Sequence, residues 1–163
     1  MFDVFGEFDS CEELNQAAAG QLEQGDIGAL MAMARENGID EEDAQDYVDG
    51  IVDILANPLM AAFGKLEVEA RELKPEEIME DWLMYIRVRC SEDEAMARAV
   101  RKKDKSLKGC ISEMLKWSFK NAKEVDQEIA KAAGVSGMVK LGIPGMGRAK
   151  KIITEYYLGE KVM

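Results

Sequence analysis

Apolar positions along the chain recur at intervals of three and four, the period of an amphipathic helix, and cap and turn residues cut them into short segments. Ser10-Cys11-Glu12-Glu13 has the form of a capping box and predicts a first helix running to about Gln24. Gly25-Asp26 stops it and starts a second helix, Ile27 to Glu36, which Asn37-Gly38 ends. Asp40 is expected to cap a third helix. Its apolar stripe would be Ala44, Tyr47, Val48, Ile51, Val52 and Leu55, with Asp43, Asp46, Asp49 and Asp53 along the other side. Asn57-Pro58 opens a fourth, with a seam of Leu59, Phe63, Leu66, Ala70 and Leu73. Pro75, followed by Glu76 and Glu77, is expected to start a fifth that buries Ile78, Met79, Trp82, Leu83 and Ile86.

Ser91-Glu92-Asp93-Glu94 reads as another capping box, after which Ala95, Met96, Ala99 and Val100 would face inward and Arg98, Arg101, Lys102 and Lys103 outward. Asp104 would cap a helix burying Leu107, Ile111, Met114, Leu115 and Phe119, with Lys105, Lys108, Lys116, Lys120 and Lys123 in solvent. Val125, Ile129 and Ala132 predict a short helix before Gly134, and Met138 to Ile143 is at most briefly extended. A final helix carries Ala149, Ile152, Ile153, Tyr156 and Tyr157 on one face. No stretch alternates convincingly as a strand. The pattern therefore predicts an all-α fold, a compact bundle of short helices.

Charge divides this helical pattern. The 163 residues carry a net −11, but residues 1–94 hold 25 acidic and 6 basic side chains, whereas residues 95–163 hold 7 acidic and 15 basic. This predicts an acidic module over 1–94 and a basic module over 95–163, as two units or one continuous domain. Histidine is absent, which removes histidine bases, Ser-His-Asp systems and histidine metal sites. Cys11, Cys90 and Cys110 are scattered and odd in number, which points to a reduced, cytoplasmic protein without a disulfide framework. Met1 to Glu7 has no signal-peptide pattern, and no run approaches the roughly 18 apolar residues that span a bilayer.

Two stretches are candidates for function. The carboxylates Asp40, Glu41, Glu42, Asp43, Asp46, Asp49 and Asp53 form an acidic surface. Their helical spacing lacks the alternating ligands and glycine turn of a calcium loop, so no metal is expected, and the surface reads as solvated or as a phosphate mimic for a protein partner. The second stretch is Gly142-Ile143-Pro144-Gly145-Met146-Gly147-Arg148-Ala149. It has the glycine spacing of a Walker A loop, but Arg148-Ala149 replaces the lysine and hydroxyl residue, and Lys150 replaces the third glycine of a dinucleotide fingerprint. It also resembles, irregularly, the glycine turn of helix-hairpin-helix DNA-binding proteins. In that setting Gly145 and Gly147 would offer backbone N–H groups to a phosphate, with Arg148, Lys150 and Lys151 adding charge. Lys102, Lys103, Lys105 and Lys108 complete the candidate nucleic-acid contacts. Nothing pairs a nucleophile with a base, so neither an enzyme nor a cofactor is expected.

Lys105-Ser106-Leu107-Lys108-Gly109-Cys110-Ile111, Ala122-Lys123 and Ile152-x-x-x-Tyr156-Tyr157 resemble the PcfK-like family of conjugative plasmids and transposons. The resemblance covers about the last 60 residues. It implies a mobile-element protein. Through relatives identified as anti-CRISPR proteins, it further implies inhibition of a type II RNA-guided nuclease, by DNA mimicry or by blocking DNA or guide contacts. The alternative is an accessory DNA-binding protein of conjugation that uses the basic half.

Overall fold

A computed structural model describes residues 8–159, so Met1 to Glu7, where no signal-peptide pattern was read, and residues 160–163 lie outside the described residues. The elements are α1 (Cys11–Glu23), α2 (Ile27–Glu36), α3 (Glu41–Val48), α4 (Pro58–Leu73), α5 (Ile78–Glu92), α6 (Glu94–Arg101), α7 (Leu107–Asn121), β1 (Lys123–Glu124), α8 (Gln127–Ala132), β2 (Lys140–Leu141) and α9 (Met146–Leu158). The fold is all-α, with one two-stranded antiparallel pairing of Lys123 with Leu141 and Glu124 with Lys140. The chain divides into two units, one running to Leu107 and one from Lys108. The turnover in charge after Glu94 thus lies inside the first unit, because the buried Met96, Ala97, Ala99 and Val100 are on α6, which packs on α4 and α5.

In the first unit, α1, α2 and α3 enclose a core of Cys11, Leu14, Ala18, Leu30, Met33, Ala34, Ile39, Ala44 and Tyr47, joined by Leu55, Ala56 and Ala61. Local chemistry sets the boundaries. Ser10 Oγ accepts the Glu13 N–H at 3.2 Å, and Glu13 Oε2 in return accepts the Asp9 N–H at 2.6 Å. Asp26 and Asn57 cap α2 and α4 through Ala29 N–H and Met60 N–H, and Pro58 occupies the first turn of α4. α1, α2 and α3 each end in a Schellman turn on Gly25, Gly38 or Gly50, all with φ near +70°. Gly38 serves a second purpose: its Cα lies against the Gly64 backbone, and a Cβ on either glycine would collide with the other segment.

Several expected boundaries shift. α3 stops at Val48, because Gly50 takes φ +75° and turns the chain. Ile51, Val52 and Ile54 are therefore exposed, Asp53 lies beyond the helix, and only Leu55 of the predicted continuation is buried. Asp40 occupies the N-cap position of α3 without bonding it through its side chain. Pro75 does not open α5: Lys74 and Glu77 both take positive φ, and the helix starts at Ile78. Asp93, not Ser91, caps α6, accepting the Ala95 N–H at 2.9 Å, while Ser91 stays in α5 and bonds Arg87 O. On α6 Ala95 is exposed and Arg101 is buried, the reverse of the expectation. α7 starts three residues beyond Asp104, so Asp104 is not its cap.

In the second unit, α7 buries Cys110 and Met114 but exposes Leu115 and Phe119, which were expected to be inside; its first residue, Leu107, is buried and belongs to the first unit. Ile129 is exposed as well, and Ala130 is the buried position of α8. Ala149, Ile152, Ile153 and Tyr157 form the buried face of α9. Tyr156 sits at its edge, with its ring 4.9 Å from that of Tyr157 and nearly perpendicular to it. β2 falls within the stretch expected to be briefly extended.

Candidate nucleic-acid interface

The first turn of α9, the end of α7 and the β1–β2 ribbon meet around a groove of about 580 Å³. Trp117, Lys120 and Asn121 come from α7, Lys123 from β1, Leu141 from β2, Ile143 from the connecting loop and Arg148 from α9. Gly142 makes the arrangement possible. Its Cα lies against the Ser118 carbonyl, and any side chain there would push the loop off α7. Pro144 is buried beside it, and Gly145 then takes the N-cap position of α9 with extended dihedrals.

The groove is basic. Among the described residues, Lys120, Lys123 and Arg148 line it and no carboxylate does. The Arg148 guanidinium lies over the Trp117 ring, its Cζ 5.8 Å from the centroid and within cation–π range. Asn121 Nδ2 donates to Trp117 O at 3.0 Å, which keeps that amide within the helix end. Gly145 and Gly147 both border open space, so a ligand can approach the α9 N-terminus closely, and that terminus carries the positive end of the helix dipole. A second depression of about 440 Å³ adjoins the first: Trp117 and Lys120 line both, with Glu113, Lys116, Ile152, Glu155 and Tyr156 completing the lining of the second.

The sequence-predicted basic residues fall in two places. Gly145, Gly147 and Arg148 belong to the start of α9, with Lys150 and Lys151 further along it and Lys108 in the first turn of α7. Lys102, Lys103 and Lys105 belong to the first unit, on the loop after α6. That loop has a task of its own. Lys65, in the middle of α4, is buried and donates Nζ–H to Val100 O at 2.7 Å, to Lys102 O at 2.6 Å and to Lys105 O. Arg101 is equally buried and donates to Phe8 O at 3.2 Å and Asn37 Oδ1 at 3.0 Å. Lys103 N–H donates to Asp9 Oδ1 at 3.1 Å, and Leu107 N–H to Glu69 Oε2 at 2.7 Å. Burial lowers Lys65 to about 8 and raises the Glu69 carboxyl.

Trp117, Lys120 and Lys123 were missed as site residues because only the pairing of β1 with β2 and the fold of the 142–145 loop bring Arg148 to them. The available signal was local: an aromatic residue followed by lysines three and six positions later, at the end of a helix. Of the acidic candidates, Asp40, Glu41, Glu42, Asp49 and Asp53 are exposed, while Asp43 and Asp46 are half-buried. Among the described residues no group of three or more Cys, Asp or Glu is placed to hold a metal ion, and no helix is long and apolar enough to cross a membrane. No protein-family model, curated protein or solved structure matches the chain.

Proposed function

We propose that this is a non-enzymatic nucleic-acid-binding protein, whose second unit holds a single strand along the groove between α7 and α9. Phosphates lie against Lys120, Lys123, Arg148 and the α9 N-terminus, and a base lies against Trp117. The observation that carries this reading is the Arg148 guanidinium over Trp117 in a groove whose described lining holds no carboxylate. A cation beside an indole suits a ligand with alternating anionic and aromatic parts, and the apolar walls Leu141 and Ile143 favour unpaired bases over a duplex that shows only phosphates. Trp82 is buried, so quenching of tryptophan fluorescence by an oligonucleotide reports on Trp117. A single-stranded oligonucleotide of about 12 residues is expected to quench it. Trp117→Ala removes the signal and, measured by anisotropy of the labelled strand, weakens binding by about tenfold, in line with the loss of one stacked base. Binding that is unchanged in that variant contradicts the placement.

A second reading is inhibition of a type II RNA-guided nuclease, and it is favoured by the exposure of Asp40, Glu41, Glu42, Asp49 and Asp53. Carboxylates on a helical surface suit the cationic channel that holds DNA. Neutralising Asp43, Asp46 and Asp49 together should then weaken inhibition in a cleavage titration, and unchanged inhibition by the triple variant excludes mimicry.

A further inference from the structure

The Schellman turn that ends α3 is unlike the one that ends α2. Such turns are usually sealed by an apolar contact between the residue after the glycine and the third residue back from the cap. At Gly38 those residues are Ile39 and Ala34, both buried. At Gly50 they are Ile51 and Asp46, so Ile51 has no apolar partner within the turn and is 69% exposed. Val52 and Ile54 follow it into solvent. The segment is nonetheless held in place. Leu55 is fully buried, and the Asn15 side chain bonds both backbone groups of Ala56, donating to its O at 2.8 Å and accepting its N–H at 2.9 Å. The three apolar side chains are thus carried on an anchored bend. A shallow depression of about 180 Å³ lies beside them, between Asp43, Asp46, Val52, Ile54 and Met60.

We infer that this bend is a docking surface for a basic amphipathic helix of a protein partner, separate from the groove of the second unit. Charge complementarity selects the occupant. Residues 36–64 contain eight acidic side chains and no Lys or Arg; Asp43 and Asp46 line the depression, and the exposed Asp49 and Asp53 flank Ile51 and Val52 along the chain. An anionic strand or membrane is repelled there, and so is the same face of a second copy. A helix with an apolar stripe flanked by Lys or Arg satisfies both parts. The apolar centre also separates this surface from DNA mimicry, which needs the carboxylates alone.

The test is a fluorescence titration of the full chain with a labelled peptide of about 18 residues, Leu at i, i+3, i+4 and i+7 and Lys elsewhere. Wild-type protein is expected to bind it, and the same peptide with Glu for Lys is not. Ile51→Ser with Ile54→Ser, both at exposed positions, is expected to weaken binding at least about tenfold, as is Asp46→Lys with Asp49→Lys. Circular dichroism confirms that each variant is folded. No binding at ~100 μM, a free energy of only about −5.5 kcal/mol, overturns the proposal. Equal binding by the serine variant overturns it too, since charge alone then suffices. So does self-association in sedimentation that the serine variant abolishes, because a second copy then covers the face.

Discussion

Lys65 shows how far one side chain departs from its usual role. An ammonium inside a helical unit is tolerated because three carbonyls at the end of α6 and in the following loop replace its water. It organises that loop much as a bound cation would. Lys65→Met should therefore destabilise the protein by about 3 kcal/mol in chemical denaturation, because buried carbonyls lose their donor. The pH dependence has a definite sign. Burial puts the folded value near 8, below 10.5 in the unfolded chain, so the folded state releases its proton first. Stability relative to the Met variant should rise as pH goes from 8 towards 10.5, and a fall over that window contradicts the assignment. Helical periodicity does mark position 65, which sits between the buried Ala62 and Leu66, but its residue type argued against burial. Arg101 was misplaced for the same reason. Nothing local announces the carbonyls and the Asn37 side chain that receive these two cations.

At the scale of elements, caps and glycine turns were the most legible features. The starts of α1, α2 and α4 follow from Ser10, Asp26 and Asn57. Where the pattern failed, a backbone requirement had overridden hydrophobic spacing: Gly50 truncates α3 although Ile51, Val52 and Leu55 continue its stripe. Two glycines with the same φ give a direct comparison. Gly50→Ala meets open space and should cost only about 1 kcal/mol for the left-handed backbone. Gly38→Ala adds a collision with the Gly64 backbone and should cost on the order of 3 kcal/mol or more. Equal melting temperatures for the two variants would contradict the close approach of this turn to α4. The groove depended on two features that spacing does not reveal. One is a two-residue strand pairing, and the other is Gly142 lying against Ser118.

For the whole molecule, charge and packing divide the chain at different places. The first unit, to Leu107, holds 26 acidic and 11 basic side chains, and the remainder holds 6 and 10. An acidic unit tethered to a basic one restrains non-specific attraction to polyanions, so binding depends on a local site rather than on net charge. Association of a single strand with Lys120, Lys123 and Arg148 neutralises about three phosphates, which predicts a slope near −2 for log K against log salt and roughly a fifteenfold loss between 50 and 200 mM. The most direct measurement is that titration: anisotropy of a labelled single-stranded oligonucleotide at several salt concentrations, with wild type and with Lys120→Glu, Arg148→Glu. The proposed groove predicts the slope near −2 for wild type and at least about a tenfold weaker, less salt-dependent complex for the variant. No binding by wild type at low salt, or identical salt dependence in the variant, contradicts it.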